Sequence, residues 1–118
     1  MKKVFGTYIR KRRESLKEKD RQYSLRQVAT RIGIEPSLLS RVERGEPTSL
    51  SELKILSLAQ DLGEDADVLL ALSGKVSSDI QEIIRKRPQL FAQLIRDLKN
   101  LPDHAVLRIV REVRDGKW

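Results

Sequence analysis

The stretch Ser24-Leu25-Arg26-Gln27-Val28-Ala29-Thr30-Arg31-Ile32-Gly33-Ile34-Glu35-Pro36-Ser37-Leu38-Leu39-Ser40-Arg41-Val42-Glu43-Arg44-Gly45 decides the fold. Its first four residues have capping-box spacing, with a hydroxyl for a first-turn amide and a Gln that can reach back. Leu25, Val28, Ala29 and Ile32 follow at helical spacing and predict one inward stripe. Gly33 supplies the left-handed conformation that stops this helix, and Pro36 starts the next where its missing N–H does no harm. The second helix, to about Arg44, carries Leu38 or Leu39 with Val42 inward and ends at Gly45. Two short helices held by a tight turn are therefore predicted.

Helical spacing continues on both sides, and no segment alternates as a half-buried strand would. One helix is expected from about Phe5 to Lys17, with Phe5, Ile9 and Leu16 near one face, before the charged loop Glu18 to Tyr23. After the loop Glu46-Pro47-Thr48, the segment Ser49-Leu50-Ser51-Glu52 repeats the capping-box spacing. It opens a helix through Leu53, Ile55, Leu56, Leu58, Ala59 and Leu62 to Gly63, and a shorter one with Val68, Leu69, Leu70 and Leu72 precedes Gly74. The fold class is all-α, a five-helix unit over residues 1–74. Its predicted core is Phe5, Ile9, Leu25, Val28, Ile32, Leu39, Val42, Leu53, Leu56, Leu58, Leu62 and Leu69.

Residues 75–118 hold three further amphipathic segments. Ser78-Asp79-Ile80-Gln81 caps one bearing Ile80, Ile83 and Ile84. Pro88 starts one with Leu90, Phe91, Leu94, Ile95 and Leu98, and Pro102 one with Val106, Ile109, Val110 and Val113. About forty residues bury too little surface to fold stably alone. The stripes are expected to pack on the first unit or on another chain, which makes this extension a dimerisation or partner-binding region.

With Val28-Ala29, Gly33-Ile34, Leu39-Ser40, Val42-Glu43 and Gly45 in place, the opening stretch resembles the helix-turn-helix of the phage-repressor-like (XRE/Cro) family of transcriptional regulators. The resemblance takes in Ile9-Arg10, Arg13, Leu58-Ala59 and Leu62, and covers about Phe5 to Leu72. It implies a regulator that binds double-stranded DNA as a homodimer, a repressor reading a short near-palindromic operator. A helix about 10–12 Å wide fits the B-DNA major groove. By family position Pro36, Ser37 and Arg41 face bases and Arg44 lies close to phosphate; Ser40 is also exposed, and Ser24, Arg26 and Gln27 join the interface from the preceding helix. Arg41 is the best base reader, because its guanidinium can donate two parallel bonds to guanine O6 and N7. A simple phosphate contact is the alternative.

Two departures from the family pattern matter. Leu25 stands where many relatives have a phosphate-contacting Gln, so that contact passes to Arg26 or Gln27. Glu35 replaces the usual Ser or Thr; its carboxylate can cap the next helix but repels phosphate. Arg13 and Glu43 match positions that pair internally in relatives, tying the first helix to the recognition helix. The alternative is an exposed pair that adds little.

Composition agrees with a polyanionic partner. Among 118 residues, 24 Lys and Arg against 17 Asp and Glu give a formal charge of +7, and the isoelectric point is near 10.0. Through Arg31 eleven bases face three acids, a net +8, whereas Thr48 to Lys75 carries −3 and is expected to face away from the partner. With 39% hydrophobic but only 4% aromatic residues, the core must be aliphatic. The absence of Cys excludes disulfides, thiolate metal sites and a cysteine nucleophile. No apolar run is long enough for a membrane span, and the basic start is not followed by a signal-peptide core. A soluble, cytoplasmic protein is expected.

An enzyme is not expected. His104, the one histidine, sits in the first turn of a predicted helix, where it more often solvates a surface than acts as a base. Asp61, Glu64, Asp65 and Asp67 lack calcium-loop spacing, and acids near a helix start have a sufficient electrostatic reason. No glycine loop for phosphates occurs, so neither metal nor cofactor is implied. Arg85-Lys86-Arg87 reads most simply as a solvated face, and Trp118 as a fraying end or an aromatic that docks on a partner. A second function survives: an antitoxin-like autoregulator whose C-terminal helices grip a protein partner.

Overall fold

Ser24 starts the decisive helix as its spacing predicts: its Oγ accepts the Gln27 amide at 3.3 Å. The computed structural model describes residues 2–117, and the expectation for Trp118 lies outside them. All regular structure among the described residues is helical: α1 (Lys2–Lys17), a 3-10 turn (Arg21–Tyr23), α2 (Leu25–Ile32), α3 (Pro36–Glu43), α4 (Glu52–Leu62), α5 (Ala66–Leu72), α6 (Ser78–Lys86), α7 (Pro88–Leu98) and α8 (Asp103–Asp115).

Gly33 ends α2 at φ +78°, and the Gly33 and Ile34 amides donate to the carbonyls of Thr30 and Ala29. This is the Schellman arrangement, which satisfies carbonyls that the helix end leaves open and needs a residue at ease with positive φ. Pro36 is the first residue of α3, as predicted. Glu35 occupies the cap position, but its side chain makes no capping hydrogen bond, which corrects the expected carboxylate cap. Its own backbone carbonyl accepts the Leu38 and Leu39 amides in a tightened first turn, which engages the third-position amide, the one that the Ser24 side chain accepts at the start of α2.

A second correction concerns the start of α4. The cap is Ser51, whose side chain accepts the Lys54 amide at 3.2 Å, and not Ser49. Leu50, immediately before the cap, is 2% exposed and shares the core with Ile55. That pair forms a hydrophobic staple, and burying Leu50 forces the cap one residue beyond it.

The core gathers Phe5 and Ile9 from α1, Val28, Ala29 and Ile32 from α2, Leu39 and Val42 from α3, Leu50, four residues of α4, and Leu69 with Leu70 from α5. Leu16, Leu25 and Leu38 are half-buried against it. Leu53 and Leu56 do not join, contrary to expectation; they are 73% and 37% exposed. The inward stripe of α4 is Ile55, Leu58, Ala59 and Leu62, and at 100° per residue Leu53 lies opposite it and Leu56 on its flank. Val68 of α5 is also exposed.

The chain divides into two compact units, residues 1–78 and 79–118. In the first, Lys75 Nζ donates to the Leu50 carbonyl at 2.6 Å, and the amide and hydroxyl of Ser78 both donate to the Glu52 carboxylate at 2.8 Å. Ser78 therefore begins α6 as a donor to another helix, not as the expected cap. In α6, α7 and α8 no described residue is buried. Ile84, Phe91, Leu98, Val106 and Ile109 are half-buried, while Ile80, Ile83, Leu90, Leu94, Ile95, Val110 and Val113 are exposed.

Candidate nucleic-acid interface

α1 holds α3 in two ways. Gly6 faces the end of α3 so closely that a Cβ there would overlap the Val42 carbonyl oxygen and stand 2.8 Å from that of Glu43. About two turns further on, Arg13 donates from Nε and Nη2 to the Glu43 carboxylate at 2.7 and 2.9 Å. Each residue is only 6% exposed. The Glu43 hydrogen bonds hold the Arg13 guanidinium above its already high ordinary pKa, against the opposing effect of burial. Nη1 of the same group donates to the Tyr23 carbonyl at 3.2 Å, so Arg13 joins the last turn of α3 to the residue preceding the α2 cap.

What α3 presents outward follows from helical angles. Leu39 and Val42 point into the core, and Ser37, Arg41 and Arg44 at i, i+4 and i+7 share the opposite, exposed face. Pro36 and Ser40 flank that face and are half-buried. On α2, Arg26 and Gln27 are exposed in the first turn, and half-buried Ser24 uses its oxygen for the cap. Among the described residues, neither the Arg26 nor the Arg41 guanidinium has a carboxylate partner. Arg44 has one: its Nε donates to Glu46 Oε2 at 2.6 Å.

The basic segment through Arg31 is less open than its count suggests. Arg31 pairs with Asp61 through two bonds of 2.7 and 3.0 Å and lies over the Tyr23 ring at 5.1 Å. The Asp61 bonds raise its pKa. Arg12 pairs with Glu64 at 3.3 Å and also donates to the Leu62 carbonyl. Glu64 further accepts the Tyr8 hydroxyl, and its charge raises the Tyr8 pKa. Asp61 and Glu64 thus neutralise bases of α1 and α2 within the fold. Asp65 caps α5 by accepting the Asp67 and Val68 amides. Among the described residues, no group of three or more His, Asp or Glu is arranged to hold a metal ion.

A sequence profile described as a helix-turn-helix domain matches residues 4–72, more than half of the chain. The chain belongs to this helix-turn-helix domain family. No curated protein and no solved structure gives a significant match. A helix-turn-helix is a DNA-binding unit whose second helix enters the major groove and whose first crosses the backbone. In this helix-turn-helix domain α2 and α3 are the two helices joined by the tight turn at Gly33. Among the described residues, no helix is long and apolar enough to cross a membrane.

Sequence reasoning paired Arg13 with Glu43 but missed three parts of the helix-turn-helix domain. Gly6 was readable as a glycine inside an otherwise helical pattern, a common mark of close backbone approach. The Tyr23 carbonyl, as a backbone acceptor, leaves no side-chain signal. Glu46 sat in what read only as a loop.

Proposed function

We propose that the chain is a sequence-specific transcriptional regulator of the phage-repressor-like (XRE/Cro) type, acting in the cytoplasm as a dimeric repressor on a short near-palindromic operator. The observation that supports this reading best is the face Ser37–Arg41–Arg44 on a helix whose opposite face and last turn are pinned by the core and by Arg13. In this reading Ser37, Arg41 and the flanking Pro36 and Ser40 meet base edges, and Arg44 meets phosphate. Ser24, Arg26 and Gln27 meet the neighbouring backbone, where the α2 N-terminus also favours an anion. No catalytic role is assigned to His104, which is exposed in the first turn of α8.

Selection of duplexes by the full chain from a random pool tests the reading, and a recovered near-palindrome is the expected result. On the selected site Arg41→Ala should cost about 1–3 kcal/mol and relax one base position, whereas Arg44→Ala should weaken all duplexes similarly. Equal losses for Arg41→Ala on selected and random DNA would remove its base-reading role.

The dimer is supported by the exposed apolar stripes of α6 to α8. A two-fold dimer sets two recognition helices one DNA turn, about 34 Å, apart. Sedimentation of the full chain against a chain ending at Ser78, which keeps the Lys75–Leu50 and Ser78–Glu52 contacts, is the measurement. Full-length protein that stays monomeric takes the extension out of a homodimer and favours the antitoxin-like reading, in which a different protein covers the stripes.

A further inference from the structure

We propose that Glu46 sets how tightly the domain grips the DNA backbone, by competing with phosphate for the Arg44 guanidinium. The inference rests on the DNA-binding reading above and adds a residue to it. The geometry begins at Gly45, whose φ of +75° turns the chain out of α3. The Gly45 amide donates to the Val42 carbonyl and the Glu46 amide to the Arg41 carbonyl, each at 3.0 Å. The Thr48 amide in turn donates to the Glu46 carbonyl at 2.6 Å, so the Glu46 backbone is tied on both sides. From that fixed point its side chain reaches back to accept from Arg44 Nε at 2.6 Å.

Three arginines belong to the interface, and their states differ. Arg26 and Arg41 have no carboxylate partner among the described residues, whereas Arg44 is held. The side chains of Arg44 and Glu46 are 56% and 43% exposed, so a phosphate has access to the pair. On contact it must displace the carboxylate or share the guanidinium with it, and sharing sets two anions side by side. An ion pair this open is weak and screened by salt. Glu46 therefore moderates the contact and does not block it. Because phosphate contacts carry no base information, the moderation falls on every duplex alike.

The test uses the full chain and a random-sequence duplex of fixed length, titrated over a range of salt. Glu46→Gln should tighten binding about two- to fivefold, the size expected for releasing one exposed pair. It should also steepen the salt dependence by about one counterion. In an Arg44→Ala background most of that gain should vanish, since no guanidinium remains to be released. Unchanged binding by Glu46→Gln overturns the proposal, and so does an equal gain with and without Arg44, which is a general charge effect. A wild-type chain that binds no duplex even at low salt overturns the DNA-binding reading itself.

Discussion

The eight-residue helices α2 and α3 bury three side chains each, while the three helices α6, α7 and α8, every one of them longer, bury none. All five carry apolar stripes at helical spacing. The contrast shows that a stripe records a face in need of cover and says nothing about what supplies it. For α2 and α3 the cover is α1 and α4, reached through tight turns and one buried ion pair. The stripes beyond residue 78 await a partner in the proposed function.

If that contrast holds, the largest effects belong to the first unit. Arg13→Met leaves Glu43 buried without its partner and should cost about 3–5 kcal/mol of unfolding free energy, measured by urea titration. Adding Glu43→Leu should recover most of the loss, because an apolar pair needs no solvent. Arg85→Met removes a pair with Glu82 at 3.6 Å whose side chains are mostly exposed, and should change stability by less than about 0.5 kcal/mol. A common midpoint for Arg13→Met and Arg85→Met would deny the buried pair its structural part.

Next comes the turn. Gly33→Val places a β-branched residue at positive φ and should cost about 1–3 kcal/mol or more, with loss of DNA binding. Lys19→Val, on an exposed loop, should stay within about 0.5 kcal/mol. Matching melting temperatures would contradict the turn.

Smaller still are changes to the uncovered stripes. Leu90 and Val113 are 69% and 63% exposed, so Leu90→Ser and Val113→Ser should each leave the unfolding of dilute monomer within about 0.5 kcal/mol of wild type. Their effect should appear as weaker association in sedimentation. A large drop in monomer stability would mean that the chain covers these stripes itself.

The smallest effect is a proton. Hydrogen bonds from the Ser78 hydroxyl and amide lower the Glu52 pKa. A lowered folded value means that its contribution is complete above the ordinary carboxylate pKa, about 4.3, and is lost as the pH falls through the lower folded value. The Ser78 amide resonance should report that step, and Glu52→Gln should abolish it. A Ser78 titration that survives Glu52→Gln would assign the step to another group.

Local chemistry accounts for what was legible. Gly33, Pro36 and Gly45 act through their own backbone preferences, so their duties can be read one residue at a time. Ser49 has the box spacing with Glu52 while Ser51 is followed at that spacing by Lys54, so only the burial of Leu50, a tertiary fact, moves the cap to Ser51. Leu53 and Leu56 look like core because α4 is rich in leucine, but the core admits one stripe, and its direction depends on neighbours that the helix does not contain. In the candidate site, the exposed positions of α3 follow from periodicity. The attachment of Arg44 to Glu46 depends on how the chain leaves Gly45, and at Glu35 the backbone carbonyl, not the side chain, takes the Leu38 amide.

The close approach at Gly6 has a consequence for how such a protein changes its target. α1 rests there on main-chain carbonyls of α3, which stay the same whatever side chains α3 carries. The parts that seat the helix are Gly6, Arg13, Glu43 and the inward Leu39 and Val42; the parts assigned to reading in the proposed function are Pro36, Ser37, Ser40 and Arg41. Because the two sets do not overlap, the proposed function implies that new operators can be tried by exchanging the outer residues while the seating contacts stay in place. Retargeting is then a matter of vocabulary, with the grammar left intact.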